Sequence, residues 1–297
     1  MTGGHSYGSP GAFRRALTDK LRVLAAASRW TLQQLQRQMA YDRLLERLYL
    51  VDEGWIVKGA TALLARDIGV RGTLDIDLYR EVAREIAVVD LREAAALDLG
   101  DWFRFEIGPP RPLVDTGGVR LPVKAFVGNA EWAAFHVDLV GEDLRMTGEP
   151  EDVPPLARVV MPDVEQHGYR AYPLVDHVAD KACAIFERHG PAGTPSTRYR
   201  DLVDLVAIVL AASVEAEPQL SALRSEAHRR GLQLPGRFAV PDRGLWQPGY
   251  AAEAARSLLP KARTLDEAIA TVTPFLDPLL DATARGRWDP RNAGWTS

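Results

Sequence analysis

The 297-residue sequence contains a single cysteine, Cys183, which excludes an intrachain disulfide and any zinc site built on several cysteines. Such cysteine usage is typical of a reducing compartment, and we expect a cytoplasmic protein. The sequence also lacks an apolar run long enough to cross a bilayer, and its first residues lack the apolar core of a signal peptide. We therefore expect no membrane segment.

An excess of positive charge is absent as well. The chain has 36 lysines and arginines against 40 acidic residues, which gives a net charge of −4. This balance does not indicate binding to nucleic acid, so either the basic footprint is local or the acceptor is not a polyanion. Internal repeats and low-complexity segments are also missing, which excludes a solenoid. The 46% of hydrophobic residues is ordinary for a globular chain of one or two domains.

The most informative stretch is Thr73–Leu78, with the sequence TLDIDL. Its strict alternation predicts a strand with one apolar face, and it places Asp75 and Asp77 together on the other face. Two adjacent carboxylates repel each other and favour a cation between them. An acidic, oxygen-only pair suits Mg²⁺, with Mn²⁺ as the alternative. The competing interpretation is the solvated face of an edge strand.

The residues before this stretch predict a phosphate-binding turn. Trp55–Val57 is typical of a buried strand, and a short helix is expected from Thr61. The turn between them is formed by Lys58, Gly59 and Ala60. A glycine at a strand-to-helix turn lets a phosphate approach the backbone, and a helix N-terminus favours an anion there.

A third carboxylate is predicted on another strand. The segment Ala133–Val140 alternates, and it places His136 and Asp138 on one face. Asp138 is a candidate to coordinate the metal or to take a proton from the acceptor hydroxyl. The alternative is a strand-end aspartate that accepts turn hydrogen bonds. We interpret His136 as a core or rim histidine and not as a ligand.

Two helices of the C-terminal half carry further candidates. Lys181 lies in a helix predicted over 175–188, on one face with Arg188, and it suits a triphosphate as a point-charge donor. The alternative is a surface lysine that keeps only its ammonium in water. In the next helix, Arg200, Asp201 and Asp204 could hold the nucleotide or orient Lys181. Otherwise they form an ion pair that fixes the helix.

Basic residues at both ends of the chain have a simpler interpretation. The arginines of the two N-terminal helices favour a solvated helix face over contact with an RNA backbone; they include Arg29, Arg37, Arg43 and Arg47. In the tail, basic residues alternate with Trp288 and Trp295, and we interpret them as closing a helical bundle.

These pieces together carry a resemblance to a known family. The turn Lys58–Ala60, the run Arg71–Leu78, Lys181 and the run Arg200–Leu205 resemble the AbiEii-type nucleotidyltransferase toxins, including the mycobacterial MenT group. These belong to the DNA polymerase β-like superfamily. The resemblance covers roughly residues 13 to 210. One departure is that the superfamily usually has Gly-Gly or Gly-Ser at the turn, whereas here Ala60 follows Gly59. Thr73 could supply the missing hydroxyl.

The resemblance implies an α/β (α+β) fold. We expect a polymerase β-like nucleotidyltransferase core with a small mixed sheet over residues 51–172. N-terminal helices over 1–50 and a helical C-terminal domain over 173–297 would flank it.

The resemblance also implies an activity, which is Mg²⁺-dependent transfer of an NMP from an NTP to the 3′ end of tRNA. The chain would then be a growth-inhibiting toxin with a cognate antitoxin. Site residues follow for three roles: as metal ligands Asp75, Asp77 and Asp138; as catalytic residues the same three with Lys181 and Asp201; and as nucleotide-binding residues Lys58, Gly59, Ala60, Thr73, Lys181, Arg188 and Asp204. Which of Asp138, Asp201 and Asp204 completes the metal site stays open.

Two other functions remain compatible with the sequence. A small-molecule nucleotidyltransferase of the antibiotic-modifying kind would share the donor site and would suit the net charge of −4. A nucleotide-binding module without chemistry is permitted by Ala60.

Overall fold

Tertiary contacts divide the chain into two compact units. The computed structural model describes residues 6–113, 117–141 and 146–296. The first unit comprises Met1–Arg66, Gly72–Leu144 and Glu151–Ala171. The second comprises Asp67–Arg71, Arg145–Pro150 and Tyr172–Ser297. The N-terminal helices therefore share a unit with the sheet.

The first unit combines helices with one sheet. In chain order its elements are α1 (Pro10–Ala27), α2 (Leu32–Val51), β1 (Ile56–Lys58), α3 (Gly59–Ala65), β2 (Asp75–Tyr79), α4 (Arg84–Ala95), β3 (Phe103–Ile107), β4 (Arg111–Pro112), β5 (Val119–Val127), β6 (Ala130–Val140), β7 (Glu151–Val153) and β8 (Tyr169–Ala171).

Local sequence signals explain where the two long helices begin. Ser9 caps α1, and Pro10 occupies its first turn, where a missing N–H costs nothing. The sequence predicts that Thr31 caps a helix over 32–48, and this cap is confirmed, because Thr31 and Gln34 form a reciprocal capping box. Both helices then bury apolar residues at helical spacing.

The sheet of the first unit is mixed and centred on β2. Its strand order is β3-β5-β6-β2-β1-β8-β7, with β4 paired to β5. β2 runs antiparallel to β1 and parallel to β6, whereas β5 and β6 are antiparallel. The helices α1, α2 and α4 contact this sheet through β3, β5 and β6. The mixed sheet predicted from the sequence is confirmed.

The second unit is mainly helical. Its elements are α5 (Leu174–Phe186), β9 (Arg188–His189), β10 (Thr194–Pro195), α6 (Tyr199–Ala211), α7 (Ala216–Arg229), α8 (Arg243–Arg256), α9 (Leu265–Leu280), β11 (Arg287–Asp289) and β12 (Gly294–Thr296). The run Thr264–Glu267 (TLDE) predicts a capping box at the start of α9, and the structure confirms it. Trp288 is fully buried, and its ring packs edge-to-face on Phe275. The tail therefore closes the helical unit, as its aromatic residues predict.

Three further predictions from the sequence are wrong. Helical spacing predicts a helix over 80–98 with Ile86 and Val89 facing inward, but α4 is only Arg84–Ala95 and both side chains are half-exposed. A short strand is predicted over 158–161, and none forms there. A loop is predicted over 234–248, but α8 begins within it at Arg243.

Within the described part of the chain, no helix has the length and apolar character that a membrane span requires.

Candidate functional site

The strand β2 presents Asp75 and Asp77 on one side of the sheet. Both side chains are half-buried, while the alternate residues Ile76 and Leu78 are fully buried on the other side. This is the pattern predicted from period two. Leu74 does not follow it, since the strand begins only at Asp75 and Leu74 is exposed.

The neighbouring strand β6 brings a third carboxylate to the same side. In the parallel register, Asp138 lies directly opposite Asp77, and His136 lies opposite Asp75. The Nδ1 atom of His136 is 3.3 Å from Oδ1 of Asp75. The structure therefore brings together the three aspartates that the sequence singled out, with His136 at the rim.

Arg120, which the sequence analysis did not identify, contacts two of these carboxylates. It lies opposite Asp138 in the antiparallel pair β5–β6. Its Nε and Nη2 atoms donate to the two oxygens of Asp138 at 2.7 and 2.6 Å, and Nη2 is 3.5 Å from Oδ1 of Asp75. The hydrogen bonds to Asp138, together with the charges of Asp138, Asp75 and Asp77, raise the pKa of the Arg120 guanidinium above its ordinary value.

Only the strand register reveals this arginine as part of the site. In the sequence, Arg120 is an ordinary polar position of an alternating strand. Asp138 takes its hydrogen bonds from Arg120, so the alternative of a strand-end aspartate held by turn N–H groups is wrong.

The glycine turn between β1 and α3 lies against Asp77. Lys58 is the β1 partner of Asp77, and Gly59 follows with a φ of +59°. A Cβ atom built on Gly59 would be 1.7 Å from Oδ2 of Asp77. Glycine is therefore required both for the backbone conformation and for the close approach to the carboxylate. Ala60 is buried at the start of α3.

The helix α2 places an arginine and a tyrosine beside the same strand. Arg37 Nη1 and the Tyr41 hydroxyl donate to the Thr73 carbonyl at 3.3 and 3.0 Å. Burial raises the pKa of Tyr41, and the charges of Asp75 and Asp77 add to this effect, while Arg37 opposes it. The Thr73 hydroxyl donates to the Asp75 carbonyl, so its predicted contact with a phosphate competes with a local turn.

The chemistry of this donor set fits a small divalent cation. Asp75 and Asp77 offer adjacent carboxylate oxygens on a rigid strand, as hard cations prefer. Asp138 is close by, but both of its oxygens accept hydrogen bonds from Arg120. Within residues 6–113, 117–141 and 146–296, no group of three or more His, Cys, Asp and Glu side chains is arranged to hold a metal ion.

The second unit contains its own buried charged cluster. The ammonium of Lys181 donates to Asp201 at 2.9 Å and to Asp204 at 2.7 Å. Arg71 makes two parallel bonds to Asp204, at 3.0 and 2.9 Å. Lys181 is only 7% exposed, so the alternative of a surface lysine is wrong.

The shifts of pKa in this cluster follow from its pairing. Burial lowers the pKa of Lys181, but Asp201 and Asp204 outweigh it, so the net shift is upward. For Asp204, burial raises the pKa, but Lys181 and Arg71 lower it to about 2. Lys181 and Asp204 are therefore both charged at neutral pH, and the ion pairs tie α5 to α6.

Two other predicted members lie apart from Lys181. The helix α5 ends at Phe186, so Arg188 does not continue the face of Lys181. Arg188 is exposed on β9 and donates to the Gly193 carbonyl at 3.0 Å. Arg200 pairs with Glu253 at 3.1 Å.

Two arginines of α2 have a structural role. Arg43 and Arg47 are buried and both donate to the carboxylate of Asp101, at 2.6 Å for Arg43 and at 2.7 and 2.9 Å for Arg47. For these two residues, the interpretation as a solvated face and the interpretation as an RNA contact are both wrong.

Two solved structures are similar to this chain, and one of them, MenT4, supports the architecture. The chain is similar to MenT4, a nucleotidyltransferase toxin from Mycobacterium tuberculosis H37Rv, with 15% identity, a TM-score of 0.54 and 86% of each chain covered. It is also similar to JHP933 from Helicobacter pylori, with 17% identity, a TM-score of 0.39, and 66% of this chain and 76% of the other covered. No curated protein matches the chain.

A family model shows the family of this chain, which structural likeness alone does not show. The model for the nucleotidyl transferase AbiEii toxin of type IV toxin–antitoxin systems matches residues 43–291. This range includes the three aspartates of β2 and β6 and the buried charged cluster around Lys181. The predicted fold class is confirmed by the likeness to MenT4. The chain therefore belongs to the AbiEii family of nucleotidyltransferase toxins.

Proposed function

We propose that this nucleotidyltransferase transfers an NMP from an NTP to the terminal 3′ hydroxyl of tRNA in a Mg²⁺-dependent reaction. The observation that carries the proposal is the meeting of the Gly59 turn with the carboxylate side of β2. A turn that suits phosphate approaches Asp77, and Asp77 lies opposite Asp138. Phosphoryl transfer depends mainly on such positioning and on neutralising charge.

The aspartates of the first unit have different roles in the proposed reaction. Asp75 and Asp77 would hold Mg²⁺, which when bound neutralises charge on the phosphates. The acceptor oxygen forms a bond to the α-phosphorus, and the bond from that phosphorus to the bridging oxygen breaks. Pyrophosphate leaves with the electron pair. Asp138 takes the hydroxyl proton, since two hydrogen bonds from Arg120 leave lone pairs of its oxygens available.

The turn between β1 and α3 would bind the donor phosphates. We assign this role to the backbone of Gly59 and Ala60 and to the side chain of Lys58. The predicted contacts of Lys181, Asp201 and Asp204 with the nucleotide stay predictions. Their mutual pairing supports the interpretation of an ion-pair network that holds α5 and α6 and orients Lys181.

The acceptor would meet a local positive charge. Arg37 is half-buried beside Thr73, near Asp75 and Asp77, where it could bind a phosphate of the tRNA end. A local arginine suits a chain whose net charge is −4, because the footprint need not extend over the surface.

The test is to incubate the protein with Mg²⁺, each labelled NTP and total tRNA. The wild type should label the 3′ end of RNA, and Asp75→Asn should not, because one ligand of the cation is lost. Circular dichroism of both proteins checks that the variant is folded. Absence of label with the wild type, or equal label with both proteins, would contradict the proposal.

A small-molecule acceptor is the second candidate, and the net charge of −4 favours it. Such an enzyme would modify a cationic antibiotic with the same donor site. Drug resistance without growth arrest on expression would select this function over tRNA modification.

A further inference from the structure

The bond between Arg120 and Asp138 bears on how many cations the site takes. Both oxygens of Asp138 accept a hydrogen bond from one guanidinium, and the same guanidinium reaches Asp75. Arg120 therefore already places a fixed positive charge between two of the three carboxylates. Only 13% of the Asp138 side chain is exposed. Water therefore has little access to Asp138 and is a poor replacement for Arg120.

A metal at Asp138 would have to displace a strong interaction. Bidentate pairs of arginine and carboxylate are among the strongest hydrogen bonds in proteins, and the planar fork matches the carboxylate geometry. A metal ion bound by Asp138 would also lie next to the guanidinium, and like charges repel at this distance. At Asp75 this obstacle is smaller, because Nη2 of Arg120 is 3.5 Å from its Oδ1, a longer distance than the 2.7 and 2.6 Å bonds to Asp138.

We infer that Arg120 takes the place of a second cation, so that Asp75 and Asp77 bind one divalent ion and Asp138 is not a metal ligand. This rests on the proposed function, because it concerns the metal of that site. Asp138 then has two roles: it accepts the proton of the acceptor hydroxyl, and it binds Arg120. Arg120 in turn is a fixed positive charge of this site.

The experiment measures binding of Mn²⁺ alone to the full chain by electron paramagnetic resonance. The wild type should bind one ion. The double variant Arg120→Gln/Asp138→Asn removes the pair without changing the net charge, and its dissociation constant should stay within about threefold of the wild-type value. Asp77→Asn is the matched control, and it should weaken binding by about tenfold or more because it removes a ligand.

Two results would overturn the inference. One is a wild type that binds two ions, which needs no variant to fold. The other is a folded double variant that binds Mn²⁺ as weakly as Asp77→Asn does, because a loss of that size is the one expected for a metal ligand. A separate result bears on the proposed function: if Asp75→Asn and Asp77→Asn both bind Mn²⁺ as the wild type does, the metal site itself is wrong.

Discussion

At the scale of single residues, Gly59 shows how closely the backbone approaches the chemistry. Its φ of +59° lies in the left-handed region, where side chains with a Cβ are strained. Its Cα also lies so close to Asp77 that an added methyl group would overlap the carboxylate. A larger residue would therefore move the carboxylate that we assign to the metal.

We predict that Gly59→Ala lowers the rate of NMP transfer by about 100-fold, because displacement of a catalytic group by about 1 Å has that effect. The strained backbone should also lower the free energy of unfolding by about 1–3 kcal/mol. Rates under saturating substrates and urea denaturation measure the two effects.

Gly231 offers a matched control for this substitution. It has a φ of +63°, and an added Cβ would meet nothing within 4 Å. Gly231→Ala should carry the backbone strain and leave the rate unchanged. If both variants lose activity equally, the close approach of Gly59 to Asp77 does not explain the lower transfer rate.

At the scale of elements, α2 is fixed by charges that it buries. Arg43 and Arg47 both bind Asp101, just before β3, and all three side chains are almost fully buried. Burial raises the pKa of Asp101, but the bonds and charges of Arg47 and Arg43 outweigh it and lower the pKa overall. The carboxylate is therefore ionised and neutralises part of the buried positive charge.

Asp101→Ala should destabilise the protein strongly, because it leaves two buried arginines without their carboxylate. The expected loss in the free energy of unfolding is about 3–5 kcal/mol. Asp19→Ala is the control: Asp19 pairs with Arg22 on the exposed surface of α1, and its loss should cost about 0–1 kcal/mol. Equal losses in urea denaturation would contradict the structural role of Asp101.

The ion pairs between α5 and α6 predict a loss of stability in acid. The pKa of Asp204 is about 2 in the folded chain, against an ordinary value of 3.8. Between these values the unfolded chain binds more protons, so stability is present above pH 4 and falls as the pH drops towards 2. The shift corresponds to about 2 kcal/mol.

Urea denaturation of the wild type and Asp204→Asn between pH 2 and pH 6 measures this contribution. The variant should be less stable at pH 6, and its stability should fall less steeply on acidification. A parallel pair of curves would show that Asp204 does not titrate in this way.

At the scale of the whole molecule, the family predicts an effect on the cell. The chain belongs to a family of toxins, so its expression should arrest growth. Asp75→Asn should abolish the arrest, because it removes a proposed metal ligand without altering the buried side of β2. Growth curves with matched protein levels measure this. Arrest by both proteins would mean that toxicity does not depend on the transfer reaction.

Much of the secondary structure of this protein can be predicted from the sequence, because the signals for it lie within short segments. Alternation predicts β2 and β6, and capping residues predict the starts of α2 and α9, because these signals depend on neighbouring residues. The family is predicted from four short segments, and the match over residues 43–291 confirms it. Ile86 and Val89 of α4 are exposed against the prediction, because helical spacing alone does not say which face is covered.

The sequence by itself determined which residues alternate, where the long helices begin and which acidic pair shares a face. Only the tertiary structure decided the partners of those residues. Strand register placed Asp138 opposite Asp77 and Arg120 opposite Asp138, and packing buried Lys181 with Asp204. Hydrogen bonds and ion pairs act over a few ångströms in space, and residues that meet at this range are far apart along the chain.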